Sequence, residues 1–152
     1  MNIETVNTIL YCEQWDRTTV FYRDILGLSV KTATDWLVEF SITPNACLSL
    51  AHAERTSIRP AAGAGITLTF KVADLWAARQ SLVDRNVAVD PVRECHMGGR
   101  AFFLRDPDGN RLEIWSDSPC SSSEVVARFA EAEEETPEPF SPVCYLKEFT
   151  HE

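Results

Sequence analysis

One arrangement occurs twice in this chain, and that doubling constrains its fold more than any other feature. Two stretches offset by about sixty residues share the order strand, helix, strand, strand, strand. In the first, the β-branched and aromatic run Val6-Asn7-Thr8-Ile9-Leu10-Tyr11-Cys12 reads as a strand. Asp16 stands where it can cap a helix that carries Phe21-Tyr22 and Ile25-Leu26 at helical spacing and stops at Gly27. Residues 28–33, 36–41 and 46–51 follow as strands, with Thr43-Pro44-Asn45 as a turn. In the second stretch Ile66-Thr67-Leu68-Thr69-Phe70-Lys71-Val72 alternates as a strand should. Asp74 caps a helix with Leu75, Ala78 and Leu82 on one face, ending near Asn86. Strands are predicted over 87–92, 100–105 and 111–116, the last two flanking the tight turn Asp106-Pro107-Asp108-Gly109-Asn110.

A βαβββ module covers only one face of its sheet with its helix, so two modules side by side can curl around a shared hollow. The expected fold is therefore α+β: tandem βαβββ modules forming a curled mixed sheet around a shared cavity, helices outside. The modules span 1–52 and 65–118. Residues 53–64, with Pro60 and Gly63, form a linker, and an acidic extension runs over 119–152. In that extension Ser121-x-x-Glu124 is a capping-box pattern for a C-terminal helical arm over 124–135, which Pro137, Pro139 and Pro142 follow. The arm is read as packing on its own domain or a twin subunit, with a lid over the hollow as the alternative.

At 152 residues the chain can bury a core without disulfides or a structural metal. Its five cysteines, Cys12, Cys47, Cys95, Cys120 and Cys144, contain no Cys-x-x-Cys pair, which argues for reduced thiols and a cytoplasmic location. Cys12 and Cys47 read as small packing groups, with no basic cluster around them in sequence. No apolar run approaches the ~20 residues of a membrane span, and Met1-Asn2-Ile3-Glu4 lacks a signal pattern. The net charge of −9 disfavours nucleic acid as a partner, and −6 of it resides in 119–152, so the main domain is no trap for cations.

Two motifs, Phe21-Tyr22-Arg23-Asp24-Ile25-Leu26-Gly27-Leu28 and Phe103-Leu104-Arg105-Asp106-Pro107-Asp108-Gly109-Asn110-Arg111-Leu112-Glu113-Ile114, stand in this doubled layout. Together they resemble the vicinal oxygen chelate superfamily of glyoxalases, extradiol dioxygenases, fosfomycin-resistance enzymes and bleomycin-resistance proteins, over residues 3–118. The resemblance implies a homodimer with the cavity built from both chains or both modules. It also implies metal-ligand positions at Asn7, Ser49, Thr67 and Glu113, where the enzymes typically carry His, carboxylate, His and Glu. Only Glu113 matches. Tight catalytic sites for Zn, Fe, Mn or Ni need about three imidazole or carboxylate ligands, whereas neutral oxygens suit at most a loosely held hydrated cation. No metal or other cofactor is therefore expected, a weakly held divalent cation being the alternative. His52 falls on the face opposite Ser49, His151 lies in the extension, and His96 sits in a glycine-flanked loop near the expected mouth.

Alternation fixes the expected lining. Asn7, Ile9 and Tyr11 share one face, as do Cys47, Ser49 and Ala51; Thr67, Thr69 and Lys71; and Arg111, Glu113 and Trp115. With His96 and Arg100, these residues make a cup for a small organic ligand. Glu113 is the candidate catalytic residue, and its charge calls for Lys71, Arg111 or Arg100 as partner, or for a raised pKa. Glu39 is a second candidate inward carboxylate, an exposed edge position being the alternative. Asp106 and Asp108 read as turn formers. The functional expectation is a metal-free small-molecule binding or sequestering protein, closest in character to bleomycin-resistance proteins. The alternatives are a lyase, isomerase or dioxygenase of the same superfamily working through Glu113, and a purely structural interaction module.

Overall fold

The computed structural model describes residues 1–94 and 99–117, which belong to the compact unit Met1–Pro119. His96, Cys95, His151 and the predicted C-terminal arm lie outside the described residues. The first module runs β1 (Val6–Cys12), α1 (Trp15–Val20) continued by a π-helical turn (Phe21–Ile25), β2 (Ser29–Ala33), β3 (Leu37–Thr43) and β4 (Ala46–His52). The second runs β5 (Thr67–Lys71), α2 (Leu75–Asp84), β6 (Arg93–Glu94), β7 (Arg100–Arg105) and β8 (Arg111–Ser116). The described strands form two four-stranded sheets of identical topology, ordered β1-β4-β3-β2 and β5-β8-β7-β6. In each sheet the first strand lies parallel to the last at one edge and the remaining pairs are antiparallel.

The alternation read from the sequence decides which face is buried. Leu10, Cys12, Val38, Phe40, Leu48 and Leu50 of the first sheet and Phe102, Leu104, Leu112 and Ile114 of the second join one core cluster with Phe21, Tyr22, Leu75 and Leu82. No described helix is long and apolar enough to cross a membrane.

Local chemistry explains where the helices start and stop. Asp74 caps α2 as expected, its Oδ1 accepting the Ala77 N–H at 2.9 Å. Asn86 takes a left-handed φ of 58° just beyond the helix end. Gly27 (φ 71°) closes the first helix, and the Leu28 N–H reaches back to the Tyr22 carbonyl at 3.0 Å. Asp16 is not the cap of α1. The chain enters at Gln14, whose side chain caps nothing, and the capping carboxylate comes from the other module. Asp108 Oδ1 accepts from the backbone N–H of Glu13 (2.8 Å) and Gln14 (3.0 Å), and its Oδ2 accepts from Thr18 Oγ1 (2.5 Å). A negative charge placed there also meets the positive end of the helix dipole.

The strand expected over 87–92 is likewise corrected. Only a single bridge, Val89 to Leu104, forms there, and the ladder starts at Arg93. Pro91 has no N–H to give a ladder, so regular pairing waits until the chain has passed it. The linker is held tightly at Gly63 (φ 76°), where a Cβ would stand 2.5 Å from the Gly109 carbonyl oxygen.

Candidate functional site

The two signature motifs meet. Tyr22, fully buried among Phe21 and Phe40, donates its hydroxyl to Asp106 Oδ2 at 3.0 Å. Asp106 also accepts from the backbone N–H and the side-chain amide of Asn110, both at 2.8 Å. Burial raises the Asp106 pKa, while the Asn110 and Tyr22 hydrogen bonds hold the rise in check. Burial, reinforced by the Asp106 charge, pushes the Tyr22 phenol up, and burial with the Asp108 charge does the same to the Cys12 thiol. These groups are locked, and they join module to module. Asp106 and Asp108 are turn formers, as expected, but they also hold the first helix.

Apart from Arg100, the expected site residues among those described fall on the two sheet faces turned away from the core cluster. On the first sheet, Asn7 and Ser49 bind each other: the Asn7 amide donates to Ser49 Oγ at 3.0 Å, and Ser49 Oγ lies 3.1 Å from Asn7 Oδ1. Ile9 lies opposite Ser49 and Tyr11 opposite Ala51 on the same face. Glu39 stands across from Ser49 on this face, outside the lining of the cleft along β1 and β5, and pairs with Lys31 at 2.7 Å. That hydrogen bond lowers the Glu39 pKa and raises that of Lys31.

Lys31 also approaches Cys47 Sγ at 3.5 Å, so Cys47 does have a basic neighbour. Alternation missed it because the β2–β3 register shifts between Val30 and Thr32, and Lys31 is the residue at that bulge. His52, at the end of β4, stacks on Trp15 with ring centroids 5.6 Å apart, away from this face.

On the second sheet Thr67, Thr69 and Lys71 stand beside Arg111, Glu113 and Trp115 in register. Thr69 Oγ1 donates to Glu113 Oε2 at 3.0 Å. The expectation of an ion partner for Glu113 is not met among the described residues. Lys71 pairs instead with Asp117 and lies over the Trp115 ring, 4.8 Å from its centroid. Arg111 stacks on Phe103 with its guanidinium carbon 4.2 Å from the ring centroid. Arg100, expected in the cup and beside Glu113, lies opposite Ser116 at the start of β7. It is in phase with the core residues Phe102 and Leu104, and so on the other face of the sheet from Glu113.

A cleft of about 760 Å³ opens along β1 and β5, one edge strand of each sheet. Thr67, Thr69, Lys71 and Cys47 line it, but Asn7, Ile9, Tyr11, Ser49, Arg111, Glu113 and Trp115 do not. Most of its remaining wall is apolar, including Leu26, Leu48, Phe70, Leu82 and Ile114, with Thr8 from the core-side face of β1 and the hydroxyl residues Thr43 and Ser81. The single cup expected from the sequence is thus resolved into an apolar cleft and two polar faces, joined at β5. The apolar lining was missed because these residues alternate in phase with the core and carry no separate signal. As for metal, the ligand positions that the resemblance implies hold an amide and a hydroxyl hydrogen-bonded to each other, a second hydroxyl and one carboxylate. That donor set does not fit a tightly held transition ion.

This is the architecture of paired βαβββ modules. The chain belongs to the Glyoxalase/Bleomycin resistance protein/Dioxygenase superfamily, whose family model matches residues 4–114. Among solved structures it is similar to a lactoylglutathione lyase from Agrobacterium tumefaciens (22% identity, 73% of this chain and 91% of that one, TM-score 0.61). It is also similar to TnmS3, an antibiotic binding protein from Streptomyces sp. CB03234 (18% identity, 78% and 97%, TM-score 0.64). A protein of unknown function from Agrobacterium tumefaciens str. C58 shares 28% identity over 76% of this chain and 95% of that one (TM-score 0.62). No curated protein matches the chain.

Proposed function

We propose that this protein binds and sequesters a small organic molecule without a metal ion. The observation that carries the reading is the mutual hydrogen bonding of Asn7 and Ser49. At positions where metal-dependent members present ligands, these two side chains satisfy one another. The apolar cleft accepts the body of a guest, and the β5 hydroxyls, with Glu113, Arg111 and Trp115 beside them, supply directed polar contacts. The antibiotic-binding neighbour, which shares the fold, is in keeping with this role. The protein works in the cytoplasm as a homodimer, in which a second chain covers open edges such as those of Val6, Ile9 and Ile66, all exposed. Sedimentation at micromolar concentration tests the dimer.

Dialysis after loading with Ni, Zn, Mn or Fe tests the metal-free reading, with less than a tenth of an ion per chain retained as the expected result. Retention of about one ion per chain overturns it. The second reading is a metal-free isomerase that uses Glu113 as base, and the Thr69 hydroxyl aimed at this carboxylate favours it. Glu113→Gln that abolishes turnover while leaving ligand affinity intact would select this reading over sequestration.

A further inference from the structure

The face of the second sheet carries a charge arrangement that the fold does not need. Arg105 and Arg111 lie directly opposite each other on β7 and β8, their side chains on the same face. Like charges directly opposite across antiparallel strands are destabilising. None of the ion pairs among the described residues involves either arginine, although the chain as a whole is strongly acidic. The one carboxylate on this face, Glu113, is engaged by Thr69, and Lys71 is neutralised by Asp117. Arg105 is fixed by an Nη1 hydrogen bond to the Gly109 carbonyl at 2.7 Å. Arg111 rests its flat face on Phe103, which leaves the edge N–H donors of its guanidinium without an acceptor among the described residues. Its other neighbour across the strands, Thr67, lines the apolar cleft. Arg111 therefore stands beside a residue of the cleft wall, with Arg105 one strand further from it.

We propose that Arg111, with Arg105 opposite it, receives the oxyanion of an amphipathic ligand whose apolar body lies in the cleft. A carboxylate or phosphate offers two or more oxygens to the guanidinium fork and relieves the repulsion between the two arginines. This inference rests on the small-molecule binding reading and names the chemical class of the guest.

Probes with one apolar body separate the two claims: 1-naphthoate, 1-naphthyl phosphate, the neutral 1-naphthamide and the cationic 1-naphthylmethylamine, titrated calorimetrically into the full chain. The expected result is saturable binding of one or both anions at least tenfold tighter than the amide and the amine, weakening as salt is raised. The better of the two anions identifies the head group. Arg111→Gln and Arg105→Gln should each lose that advantage tenfold or more while the unliganded melting temperature moves by no more than a few degrees. Each change removes a repulsion together with one contact of its own, the Arg111–Phe103 stack or the Arg105–Gly109 hydrogen bond. Equal binding of amide and anion, or preference for the amine, overturns the anion inference and leaves the binding reading intact. Failure of all four probes to bind overturns both. A marked drop in melting temperature in both unliganded variants shows the arginines to be structural and also overturns the inference.

Discussion

The Tyr22–Asp106 contact is the most demanding test of how the two modules are joined. Tyr22→Phe removes one hydroxyl that donates to a buried carboxylate and changes no apolar packing. Hydrogen bonds to charged groups contribute about 1.5–3 kcal/mol. Asp106 keeps both Asn110 donors, so the loss should be about 2 kcal/mol. At roughly 3–5 °C per kcal/mol for a domain of this size, the melting temperature falls by roughly 6–10 °C. Asp106→Asn costs more, because the amide turns a donor toward the Asn110 amide or the Tyr22 hydroxyl. In the double variant the two losses should overlap by at least about 1 kcal/mol in urea unfolding. Acid supplies a second check. Burial raises the folded pKa of Asp106 above its ordinary 3.8, so the carboxylate that Tyr22 serves is lost as pH falls through that folded value, before an ordinary aspartate would be protonated. The Tyr22→Phe penalty should therefore shrink in acid. Additivity within about 0.5 kcal/mol, or a penalty unchanged between pH 7 and pH 3, would refute the reasoning.

Three further perturbations address the same junction. Alkali should unfold the protein. Unfolded Cys12 and Tyr22 ionise near 9.0 and 10.0, while the folded chain keeps both protons, so stability is intact below pH 9 and declines above it. Each retained proton costs about 1.4 kcal/mol per pH unit, and urea unfolding above pH 10 should find that slope reduced by one proton in Tyr22→Phe. Asp108→Ala strips three hydrogen bonds from the start of the first helix and should cost about 2 kcal/mol, with Asp108→Asn at roughly half, by thermal melting. Gly63→Ala and Gly27→Ala form a matched pair, since both sites have positive φ but only Gly63 has backbone within 3 Å of the added carbon. Gly27→Ala should cost about 1–2 kcal/mol for the left-handed backbone alone, and Gly63→Ala distinctly more.

The sequence carried the fold clearly, and the site only in part. The bounds of strands β7 and β8 agree with the sequence pattern to the residue, and alternation groups Asn7 with Ser49 and Thr69 with Glu113 because period-two patterning is a property of the strand itself. Alternation failed where the backbone departs from it. The bulge beside Lys31 brought that ammonium to Cys47 and Glu39, and Pro91 delayed the second module's ladder. The cap of α1 could not be found locally, because its donor is Asp108, more than ninety residues away. The cleft wall was hidden for a different reason. Leu48, Leu82 and Ile114 look like core by every local measure, and only the packing of one module beside the other leaves space along them.

The same geometry explains why the family is legible in this chain while its chemistry is not. Tyr22 and Asp106 are buried, and they bind modules that have no strand pairing in common, so altering either one disturbs the assembly of the whole domain. Asn7 and Thr67 sit on β1 and β5, edge strands hydrogen-bonded on one side only, and both side chains are exposed. At Thr67 an imidazole or a hydroxyl can stand without leaving a buried group unpaired or a cavity behind. A residue replacing Asn7 must also satisfy the buried Ser49 hydroxyl. The motifs therefore report how the halves are joined. The residues at the family's ligand positions stand outside that junction, and their chemistry has to be read from the side chains present.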